Sequence, residues 1–421
     1  MNIARTEQEL DIFLESVIEK SNFSLKEVEI SEQEDWYLND GVLSHRTGGF
    51  FDVIGVEQNN GKEHLLMYQP QSALTGLAIC KSNNDIYILL QARIEPGNTG
   101  IGQYGPTIQS TPANYFALHG GKKTSILNLF YGYDKLSTSV GTSMQLDLGE
   151  RYFHKSKWHN YVILENFHKG AEHMIWVSLK ILRKRVFADN YLNADLRSLL
   201  SVFNWNKLFK VHLAEMENFN KSDVLNNLLE RRNSYKVDFK LKPLSELNNW
   251  KITQNGIESE QEGNPLLKMY FTSCITREVA SWYQPLIQAQ SNGLVILKTR
   301  KVNNHFEYLV TISKEIGLES GYQLTTTTVI NPGESLPDTN QDSIGEILYE
   351  FLQSDEGGRF YKHQSLYQVI LVSNKIKNNS NQCWISLYEL KRILSLSNIA
   401  SFQLRCISSL LIFDMNDSLD C

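Results

Sequence analysis

The sequence predicts an α+β protein in which one mixed α/β unit occurs twice in tandem. Three observations support this prediction: an amphipathic helix pattern near the start, short β-branched runs bounded by turn residues, and motifs that recur in one order in the second half. A chain of 421 residues with 42% hydrophobic side chains is long enough to bury two cores of ordinary domain size.

The first helix is predicted over residues 6–18. Thr6 and Glu9 have the spacing of a capping box, and the apolar side chains that follow share one helical face. Short apolar runs rich in β-branched residues then predict strands near 50–56, 64–68, 75–80 and 86–93. Further helices are expected near 124–131, 176–187, 344–353 and 384–395.

The repeat rests on motifs that match between the two halves. The early matches join Tyr68-Gln69-Pro70 to Tyr283-Gln284-Pro285 and Gly76-Leu77 to Gly293-Leu294, with an offset that grows from 283 − 68 = 215 to 323 − 103 = 220. The later matches, at offsets of 207 or 208, join Phe153-His154-Lys155 to Phe360-Tyr361-Lys362, Trp176 to Trp384, and Leu196-Arg197 to Leu404-Arg405. We therefore expect a unit of roughly 180 to 200 residues, a usual domain size.

The predicted organisation is an N-terminal unit over 1–215, a connecting helix within 216–240 and a C-terminal unit over 241–421. The segment from Ser222 to Arg232 places apolar residues at helical spacing, which indicates a packed connection rather than a loose tether.

Composition limits the classes of partner. A net charge of -6 and a pI near 6.0 argue against bulk binding of nucleic acid, so a small ligand is expected. No apolar run approaches the roughly twenty residues that span a bilayer, and the first twenty residues are too charged for a signal peptide. Five scattered cysteines form no C-x-x-C pair, which disfavours disulfides and structural zinc. These features predict a soluble cytoplasmic protein without a membrane partner.

The segment from Gln91 to His119 is the strongest functional signal. It combines amide, hydroxyl and charged side chains with Gly and Pro residues that would break a helix, which is typical of a ligand-binding loop; an ordinary solvated loop is the alternative. The strand over 86–93 should place Gln91, Arg93 and Glu95 on one face. Clustered histidines at 154, 159, 168 and 173 lack a metal-ligand pattern, so no metal is expected.

Several motifs carry a family resemblance. They are His45-Arg-Thr-Gly-Gly-Phe-Phe51, Tyr68-Gln-Pro70, Gln91-Ala-Arg-Ile-Glu-Pro-Gly-Asn98, Gln103-Tyr-Gly-Pro-Thr107 and Gln109-Ser-Thr-Pro-Ala-Asn-Tyr115. Together they resemble the NDP-hexose 2,3-dehydratases of deoxysugar biosynthesis over nearly the whole chain. Arg93 departs from the lysine expected there, which keeps the charge but changes its geometry.

The resemblance implies two Nudix-like units per subunit, a homodimer, and a dTDP-sugar as the bound partner. It also implies elimination of water from a dTDP-4-keto-6-deoxyhexose: a base removes the C3 proton, which the C4 ketone acidifies, and the C2 hydroxyl leaves. This chemistry requires no cofactor, only a base, an acid and donors to the C4 oxygen. The chain has no R-E-x-x-E-E run, so diphosphate hydrolysis of the Nudix type is disfavoured.

The resemblance implies that each unit can hold a dTDP-sugar, and comparison of the two copies favours the N-terminal unit as the catalytic one, whose motifs supply the candidate residues. Glu95 is either the base or the ion-pair partner of Arg93, and His119 and His45 are the alternative acid/base groups. Tyr115 is a candidate donor to the C4 oxygen or the leaving hydroxyl. The candidate substrate-binding residues are Thr47, Gln91, Arg93, Asn98, Gln103, Thr107, Gln109 and Asn114.

The second copy keeps only part of this set. At an offset of 220, Arg93 and Asn98 correspond to Ser313 and Leu318, whereas Glu95 corresponds to a retained Glu315. We expect a second, non-catalytic nucleotide site that includes Gln323, Thr327 and Arg277. A non-catalytic nucleotide-sugar binding protein and a nucleotide-sugar epimerase on the same fold remain the alternative functions.

Overall fold

The computed structural model describes residues 1–118, 120–122, 124, 126–131, 137–205, 208, 222–259, 261, 263–303, 305–335 and 345–414. These residues form a mixed α/β structure of four β-sheets and few helices. The helices are α1 (Glu7–Lys20), α2 (Pro112–Tyr115), α3 (Leu179–Arg185), α4 (Ala194–Val202), α5 (Val224–Ser234), α6 (Leu387–Leu394) and α7 (Phe402–Asp414).

The strands up to residue 178 are β1 (Ile3–Ala4), β2 (Ser24–Val28), β3 (Trp36–Asn39), β4 (Val42–His45), β5 (Asp52–Gln58), β6 (Glu63–Tyr68), β7 (Ala73–Ser82), β8 (Asp85–Ile94), β9 (Gly102–Gly105), β10 (Ile108–Ser110), β11 (Ser137–Leu146), β12 (Tyr152–Phe153), β13 (Ser156–Leu164) and β14 (Met174–Ser178). The later strands are β15 (Phe239–Lys242), β16 (Lys251–Thr253), β17 (Gly256–Glu258), β18 (Leu266–Ser273), β19 (Ser281–Gln288), β20 (Gly293–Val302), β21 (His305–Lys314), β22 (Tyr322–Thr325), β23 (Thr328–Ile330), β24 (Glu346–Ser354), β25 (Phe360–Tyr361), β26 (Gln364–Leu371) and β27 (Gln382–Ser386).

The first helix and the early strands form where the sequence predicts them. Thr6 Oγ1 accepts the Glu9 backbone N–H at 3.1 Å, while the Glu9 carboxylate accepts the N–H of Arg5 rather than that of Thr6. Helix α1 buries Leu10, Leu14 and Val17, as its apolar face requires. The predicted connecting helix is also present as α5.

Three predicted helices are corrected by the structure. Residues 176–187 and 384–395 each begin as a strand (β14 and β27), and helices α3 and α6 start only after Ser178 and Ser386, whose side chains accept helical N–H groups. Residues 345–354 contain strand β24, which pairs with β26 and buries Phe351, so tertiary pairing overrides local helical spacing. Near 124–131 the described residues form a 3-10 turn at Leu127–Leu129.

The two halves have the same sheet topology. One large sheet has the order β14-β8-β7-β13-β11, with β9 beside β8 and β10 beside β7; the other has β27-β21-β20-β26-β24, with β22 beside β21 and β23 beside β20. The smaller sheets, β12-β6-β5-β4-β3 and β25-β19-β18-β17-β16, also correspond. Two strands are exchanged, because β2 pairs with β18 of the other half and β15 pairs with β5.

Two glycine loops lock the halves together, and we call this arrangement the reciprocal clasp. The Gly97 N–H donates to the Gly357 carbonyl and the Gly317 N–H donates to the Gly149 carbonyl, at 2.7 and 2.8 Å. A Cβ atom on Gly97 would lie 1.7 Å from the Phe360 carbonyl oxygen, and one on Gly317 would lie 1.9 Å from that of Tyr152. Only glycine permits so close a backbone approach.

The hydrogen-bond register identifies the counterparts and corrects part of the predicted repeat. Met67 pairs with Tyr152 and Ile287 pairs with Phe360, which gives offsets of 287 − 67 = 220 and 360 − 152 = 208. Tyr68 therefore corresponds to Gln288, so the Tyr-Gln-Pro match is wrong. The Phe153 match is likewise wrong by one residue.

Strand pairing corrects one more motif and confirms another. Gly76 pairs with Ile108 and Ile296 pairs with Thr328, so Gly76 corresponds to Ile296 rather than to Gly293. The two tryptophans do correspond, because Trp176 pairs with Leu89 and Trp384 pairs with Leu309. The Tyr-Gln-Pro error arises because the hairpin before β19 is longer than the one before β6, which a short sequence motif conceals.

Candidate active site

Arg93 and Glu95 meet at the end of strand β8, as their alternation predicts. Arg93 Nε lies 2.6 Å from Glu95 Oε1, and both side chains are buried. Arg277, from the other half of the chain, reaches the same carboxylate oxygen at 3.5 Å and donates to the Ile94 carbonyl at 3.2 Å. One buried carboxylate thus positions two guanidinium groups.

These residues line a cavity that we call the charged chamber. Its basic side chains are Arg93, Lys155, Lys157, Arg277 and Arg359, and its acidic side chains are Glu95, Asp195 and Glu356. Five cations face three carboxylates here, although the whole chain carries a net charge of -6. Such a site attracts an anion, and guanidinium groups can grip two oxygens of a phosphate at once.

Lys157 is the centre of a buried ionic cluster. Its Nζ atom lies 3.2 Å from Asp147 Oδ2, 3.0 Å from Asp195 Oδ1 and 3.0 Å from Glu356 Oε2. Burial opposes the Lys157 charge, but the three carboxylates hold its pKa well above the usual range. The ammonium therefore stays charged at neutral pH.

Two of the carboxylates around Lys157, Glu356 and Asp195, have pKa values shifted in opposite directions. Burial would raise the pKa of Glu356, but Lys157, Lys155 and Arg359 hold it below its ordinary value. Burial raises the pKa of Asp195 to about 6, and the charges of Glu356 and Asp147 add to this effect while Lys157 opposes it. Asp195 is therefore the carboxylate of the two that gains a proton more readily.

Lys155 lies beside this cluster and differs from Lys157. Its Nζ atom donates to Gln69 Oε1 at 2.8 Å and lies 4.2 Å from the centre of the Tyr152 ring, whose hydroxyl donates to Glu356 at 3.1 Å. Burial lowers the pKa of Lys155 to about 8. A lysine with this pKa can release and recover a proton near neutral pH.

A second cavity, which we call the aromatic chamber, adjoins the charged chamber. The two share Thr111, Asn114, Arg277, Gly358 and Arg359. Phe50 and Trp282 supply ring surfaces, and Gln69 and Gln284 supply amides. Trp282 Nε1 donates to Gln284 Oε1 at 2.7 Å, so the indole is held in place. Flat rings beside fixed amides suit a planar heterocycle. Together we call the two chambers the first pocket.

Several predicted binding residues lie in or near the first pocket. Asn114 lines both chambers, and Gln109 lines the charged chamber while accepting a hydrogen bond from Asn193 Nδ2 at 2.9 Å. Gln91 lies in strand β8, two residues before Arg93. Its side-chain amide donates to the Thr107 carbonyl at 2.6 Å.

Other predicted binding residues have structural partners. Thr107 Oγ1 accepts the Ala78 N–H and donates to the Leu89 carbonyl, so its hydroxyl connects three strands. Asn98 lies in the reciprocal clasp, next to Gly357. Gln103 is fully buried opposite Arg93 in strand β9 and does not line either chamber.

The remaining catalytic candidates lie outside the two chambers. His45 packs between Trp36 and Phe50, with its Nδ1 atom 2.9 Å from Thr47 Oγ1, so it supports the aromatic wall from behind. Tyr115 ends helix α2 beside Tyr131, and burial raises the pKa of its hydroxyl. His119 lies outside the described residues.

A second pocket occupies the corresponding position in the other half. Its cavity is about 860 Å³, against about 50 and 60 Å³ for the charged and aromatic chambers. Residues 331–335 line it where Thr111 and Asn114 line the first pocket, and Glu150, Arg151 and His363 come from the positions of Gly358, Arg359 and Lys155. We do not place the reaction in this larger cavity, because its titratable groups differ from those of the charged chamber.

Three of the four charged residues in the ionic cluster have uncharged counterparts in the other half, whereas Asp147 corresponds to the retained Asp355. Lys157 pairs with Ala73 as Ser365 pairs with Gly293, so serine replaces the central lysine. Asp195 lies two residues after the helix-capping Asn193, as Gln403 lies two residues after Ser401. Glu356 corresponds to Leu148, since their carbonyls accept the N–H groups of Phe360 and Tyr152.

The predicted second-site residues are dispersed. Arg277, predicted for the second site, lines both chambers of the first pocket and is not among the residues that line the second pocket. Thr327 Oγ1 repeats the role of Thr107 by accepting the Lys298 N–H and donating to the Leu309 carbonyl. Gln323 is buried opposite Ser313 in strand β22.

The sequence interpretation missed Lys155, Lys157, Asp195 and Glu356. A signal for the first three existed, because each is charged in the first copy and replaced in the second by histidine, serine or glutamine. Glu356 gave no local signal, since it reaches the first pocket from the other half of the chain.

Two absences apply to the described part of the chain. No group of three or more His, Cys, Asp or Glu side chains there is arranged to hold a metal ion. No helix in those ranges has the length and apolar character needed to span a membrane.

Comparison with known proteins identifies the class. A model of the NDP-hexose 2,3-dehydratase family matches residues 7–203 and 221–411, and the chain belongs to this family. Among its relatives, a dTDP-4-dehydro-6-deoxy-alpha-D-glucopyranose 2,3-dehydratase from Amycolatopsis orientalis is 25% identical over 86% of this chain and 81% of its own. Enzymes of the same name from Saccharopolyspora spinosa and Streptomyces violaceoruber are 24% and 23% identical, over 94% and 89% of this chain and 89% and 90% of their own.

One solved structure is also similar to part of this chain. A Nudix hydrolase from M. Smegmatis aligns with 31% of this chain and 81% of its own, at 13% identity and a TM-score of 0.18. A likeness this slight supports no argument, and the Nudix-like character of the units stays a prediction.

Proposed function

We propose that this protein is a 2,3-dehydratase that acts on a dTDP-4-keto-6-deoxyhexose in deoxysugar biosynthesis. The observation that supports the proposal most directly is the family match across both halves of the chain. The product would be the enol of a dTDP-3,4-diketo-2,6-dideoxyhexose, which tautomerises to the diketone.

The first pocket is the proposed reaction site. Arg277 and Arg359 line both chambers and are suited to the diphosphate, which joins the two ends of the substrate. The base would then lie against Trp282 and Phe50, and the sugar would lie in the charged chamber. Ligand pockets usually measure about 300–1,000 Å³, so substrate binding requires side chains at the boundary of the small chambers to move.

The candidate residues receive unequal support within this proposal. Glu95 is bound to two arginines and is suited to positioning them, which favours the ion-pair alternative over a role as base. Tyr115, His45 and His119 stay predictions as acid/base groups, as do the binding roles of Thr47, Gln91 and Asn98.

The activity is testable directly. Purified protein is incubated with dTDP-4-keto-6-deoxyglucose in the presence of a trapping reductase, and the sugar is followed by mass spectrometry. Loss of one water, together with the two hydrogens that the reductase adds, is expected. A sugar that retains its C2 hydroxyl would reject the dehydratase, and in a parallel incubation in D₂O without reductase, deuterium uptake at C3 without loss of water would instead indicate an epimerase. Binding without either change would indicate a nucleotide-sugar binding protein.

We also propose that the two halves arose by tandem duplication of one unit. The matching strand orders and the constant offsets of 220 and 208 support this. The second pocket would then be the non-catalytic member of the pair. The homodimer stays a prediction from the resemblance and the cytoplasmic location a prediction from composition, and light scattering of the purified protein would test the dimer.

A further inference from the structure

The proposed reaction needs a base at C3 and an acid at the C2 hydroxyl, and the ionic cluster offers both. We propose that Asp195 removes the C3 proton and that Lys155 protonates the departing C2 hydroxyl. This assignment rests on the proposed function and deepens it. It differs from the sequence prediction, which gave these roles to Glu95, Tyr115 and two histidines.

Geometry separates Asp195 from the other carboxylates of the charged chamber. Glu95 is bound by Arg93 and Arg277, and Glu356 is bound by Lys157 and the Tyr152 hydroxyl. Among these three lining carboxylates, Asp195 alone has a single partner of any kind in the described contacts, which is Lys157 at 3.0 and 3.2 Å from its two oxygens. It is therefore the carboxylate of the charged chamber with the fewest groups bound to it.

Lys155 is the corresponding choice for the acid. Its ammonium has three protons and donates one to Gln69, and its neighbouring Tyr152 ring supplies no acceptor oxygen toward it. Lys157, by contrast, directs its protons to three carboxylates. Lys155 thus retains donors for a ligand in the chamber, whereas Lys157 fixes the carboxylates in place.

The charges that face each group are consistent with these roles. Asp195 faces Lys157, Glu356 and Asp147, and Lys155 faces Glu356, Asp147, Lys157 and Arg359. The resulting pKa values of about 6 and about 8 leave Asp195 largely ionised and Lys155 largely protonated between them. Both pKa values are shifted toward neutrality, as suits a general base and a general acid that work near neutral pH.

The reaction balances with these two groups. The Asp195 carboxylate takes the C3 proton, and the C–H electron pair forms an enolate on C3, C4 and the C4 oxygen. Reforming the C4 carbonyl creates the C2–C3 double bond and breaks the C2–O bond, and Lys155 donates the proton that turns hydroxide into water. In the tautomerisation Asp195 returns a proton to C2 while the C3 hydroxyl proton passes to Lys155, so both groups end in their starting states.

The comparison of the pockets supports the assignment independently. Gln403 and His363 stand at the positions of Asp195 and Lys155, so neither the carboxylate nor the ammonium is present in the second pocket. The structural residues nearby, such as Arg197 and Arg405 in helices α4 and α7, are kept in both halves. The two groups that the proposed proton transfers require are thus among the residues that differ between the pockets.

The test separates the two proton transfers. Asp195→Asn, Lys155→Met and the control Gln403→Asn are incubated with dTDP-4-keto-6-deoxyglucose in D₂O, and loss of water and deuterium at C3 are followed by mass spectrometry. In Asp195→Asn both should fall on the order of 10³-fold, because a general base contributes about 10²–10⁴-fold. In Lys155→Met water loss should fall to a similar extent while C3 exchange persists. Gln403→Asn should match the wild type.

Several outcomes overturn the assignment. C3 exchange at the wild-type rate in Asp195→Asn excludes Asp195 as the base. Loss of C3 exchange together with water loss in Lys155→Met excludes its separate role as acid. If the wild type itself releases no water, the proposed function fails instead, so the two failures are distinguishable.

Further measurements separate loss of the carboxylate from misfolding. Circular dichroism and dTDP titration calorimetry establish that each variant folds and binds nucleotide. Asp195→Ala removes the carboxylate and leaves space for added formate, which should restore C3 exchange in proportion to its concentration. Exchange by folded Asp195→Ala without formate would overturn the assignment.

Discussion

The two pockets occupy equivalent positions and differ in what their charges contact. In the first pocket every carboxylate has a cationic partner, with Glu95 on Arg93 and the cluster on Lys157. In the other half, Glu315 keeps the position of Glu95, but Ser313 replaces its arginine, and burial together with Glu150, which lines the second pocket, raises the pKa of Glu315 to about 8. The same backbone thus holds an ion pair in one half and a protonated carboxyl in the other.

This difference shows which features belong to the fold and which to the chemistry. Thr107 and Thr327 make the same pair of strand contacts, and the clasp glycines occur in both halves. The lysines, Asp195 and Glu356 occur only around the first pocket. A buried cluster of this kind is costly to desolvate and is weak evidence for stability alone, so its presence in one half favours a functional role.

Replacing the central lysine should have the largest effect. Lys157→Met keeps the apolar stem but leaves three buried carboxylates without their shared cation, so the free energy of unfolding should fall by about 3–5 kcal/mol at pH 7.5. Denaturant unfolding measures the loss, which should shrink at pH 5 as the carboxylates gain protons. The control Ser365→Ala at the equivalent position should change stability by less than about 1 kcal/mol. Equal effects of the two variants would contradict the comparison.

Replacing the two equivalent glutamates, Glu95 and Glu315, also tests the comparison of the two halves. Glu95→Gln leaves Arg93 buried without its counter-charge and should destabilise the protein by a few kcal/mol, of the order of 3. Glu315→Gln should be nearly neutral at pH 4, where Glu315 is protonated in both the folded and the unfolded protein.

The stability of Glu315→Gln relative to wild type should change with pH in a direction set by the pKa of Glu315. The folded pKa of Glu315, about 8, lies above its reference value of 4.5, so the stability it contributes is present below pH 4.5 and is lost as pH rises toward 8. Relative to wild type, Glu315→Gln should therefore gain up to about 1.4 kcal/mol per pH unit across this window. Denaturant unfolding at pH 5.5 and pH 8 measures the difference in the free energy of unfolding between this variant and the wild type. A difference that does not change with pH would show that Glu315 is ionised.

Arg277 links the chambers and should have an intermediate effect. Arg277→Leu removes a charged donor that both chambers share, so the Kd for dTDP should rise about 10- to 100-fold, as expected for a charge-assisted hydrogen bond of about 1.5–3 kcal/mol. Titration calorimetry is the measurement. The exposed Arg46, paired with Asp35 at the surface, provides the control Arg46→Leu. Similar loss of affinity in both variants would indicate a general charge effect.

The smallest effect is expected from pH alone. The activity requires ionised Asp195 and protonated Lys155, so kcat/KM should rise up to about pH 6 and fall above about pH 8. Each limb should change about tenfold per pH unit. A profile that stays flat from pH 5 to 9 would contradict the proposed proton transfers.

The sequence predicts much of the fold because local patterns decide it. The Thr6 cap, the strands from 52 to 94 and the alternation that joins Arg93 to Glu95 all follow from short-range periodicity. The helices predicted at 176 and 384 begin later because Ser178 and Ser386 are the caps. The apolar residues before them form strands, paired through long-range contacts that periodicity cannot reveal.

The site could be predicted only in part. Arg93, Glu95, Gln109 and Asn114 lie in one motif, and the structure places all four at the charged chamber. Arg277, Glu356 and Arg359 reach it from the other half through the exchanged strands and the clasp, and no spacing in the sequence encodes that approach. Lys155, Lys157 and Asp195 follow only from correct alignment of the two copies, which requires the strand register.

The exchanged strands and the reciprocal clasp also bear on how such a chain could originate. Because each pocket takes residues from both halves, an ancestral half-chain would have completed its site only by associating with a second copy of itself. Joining two copies in one polypeptide replaces that bimolecular encounter with an effective concentration that can reach the millimolar range for short connections. It also ends the identity of the two partners, so that one pocket could lose its ionic cluster while the other retained it.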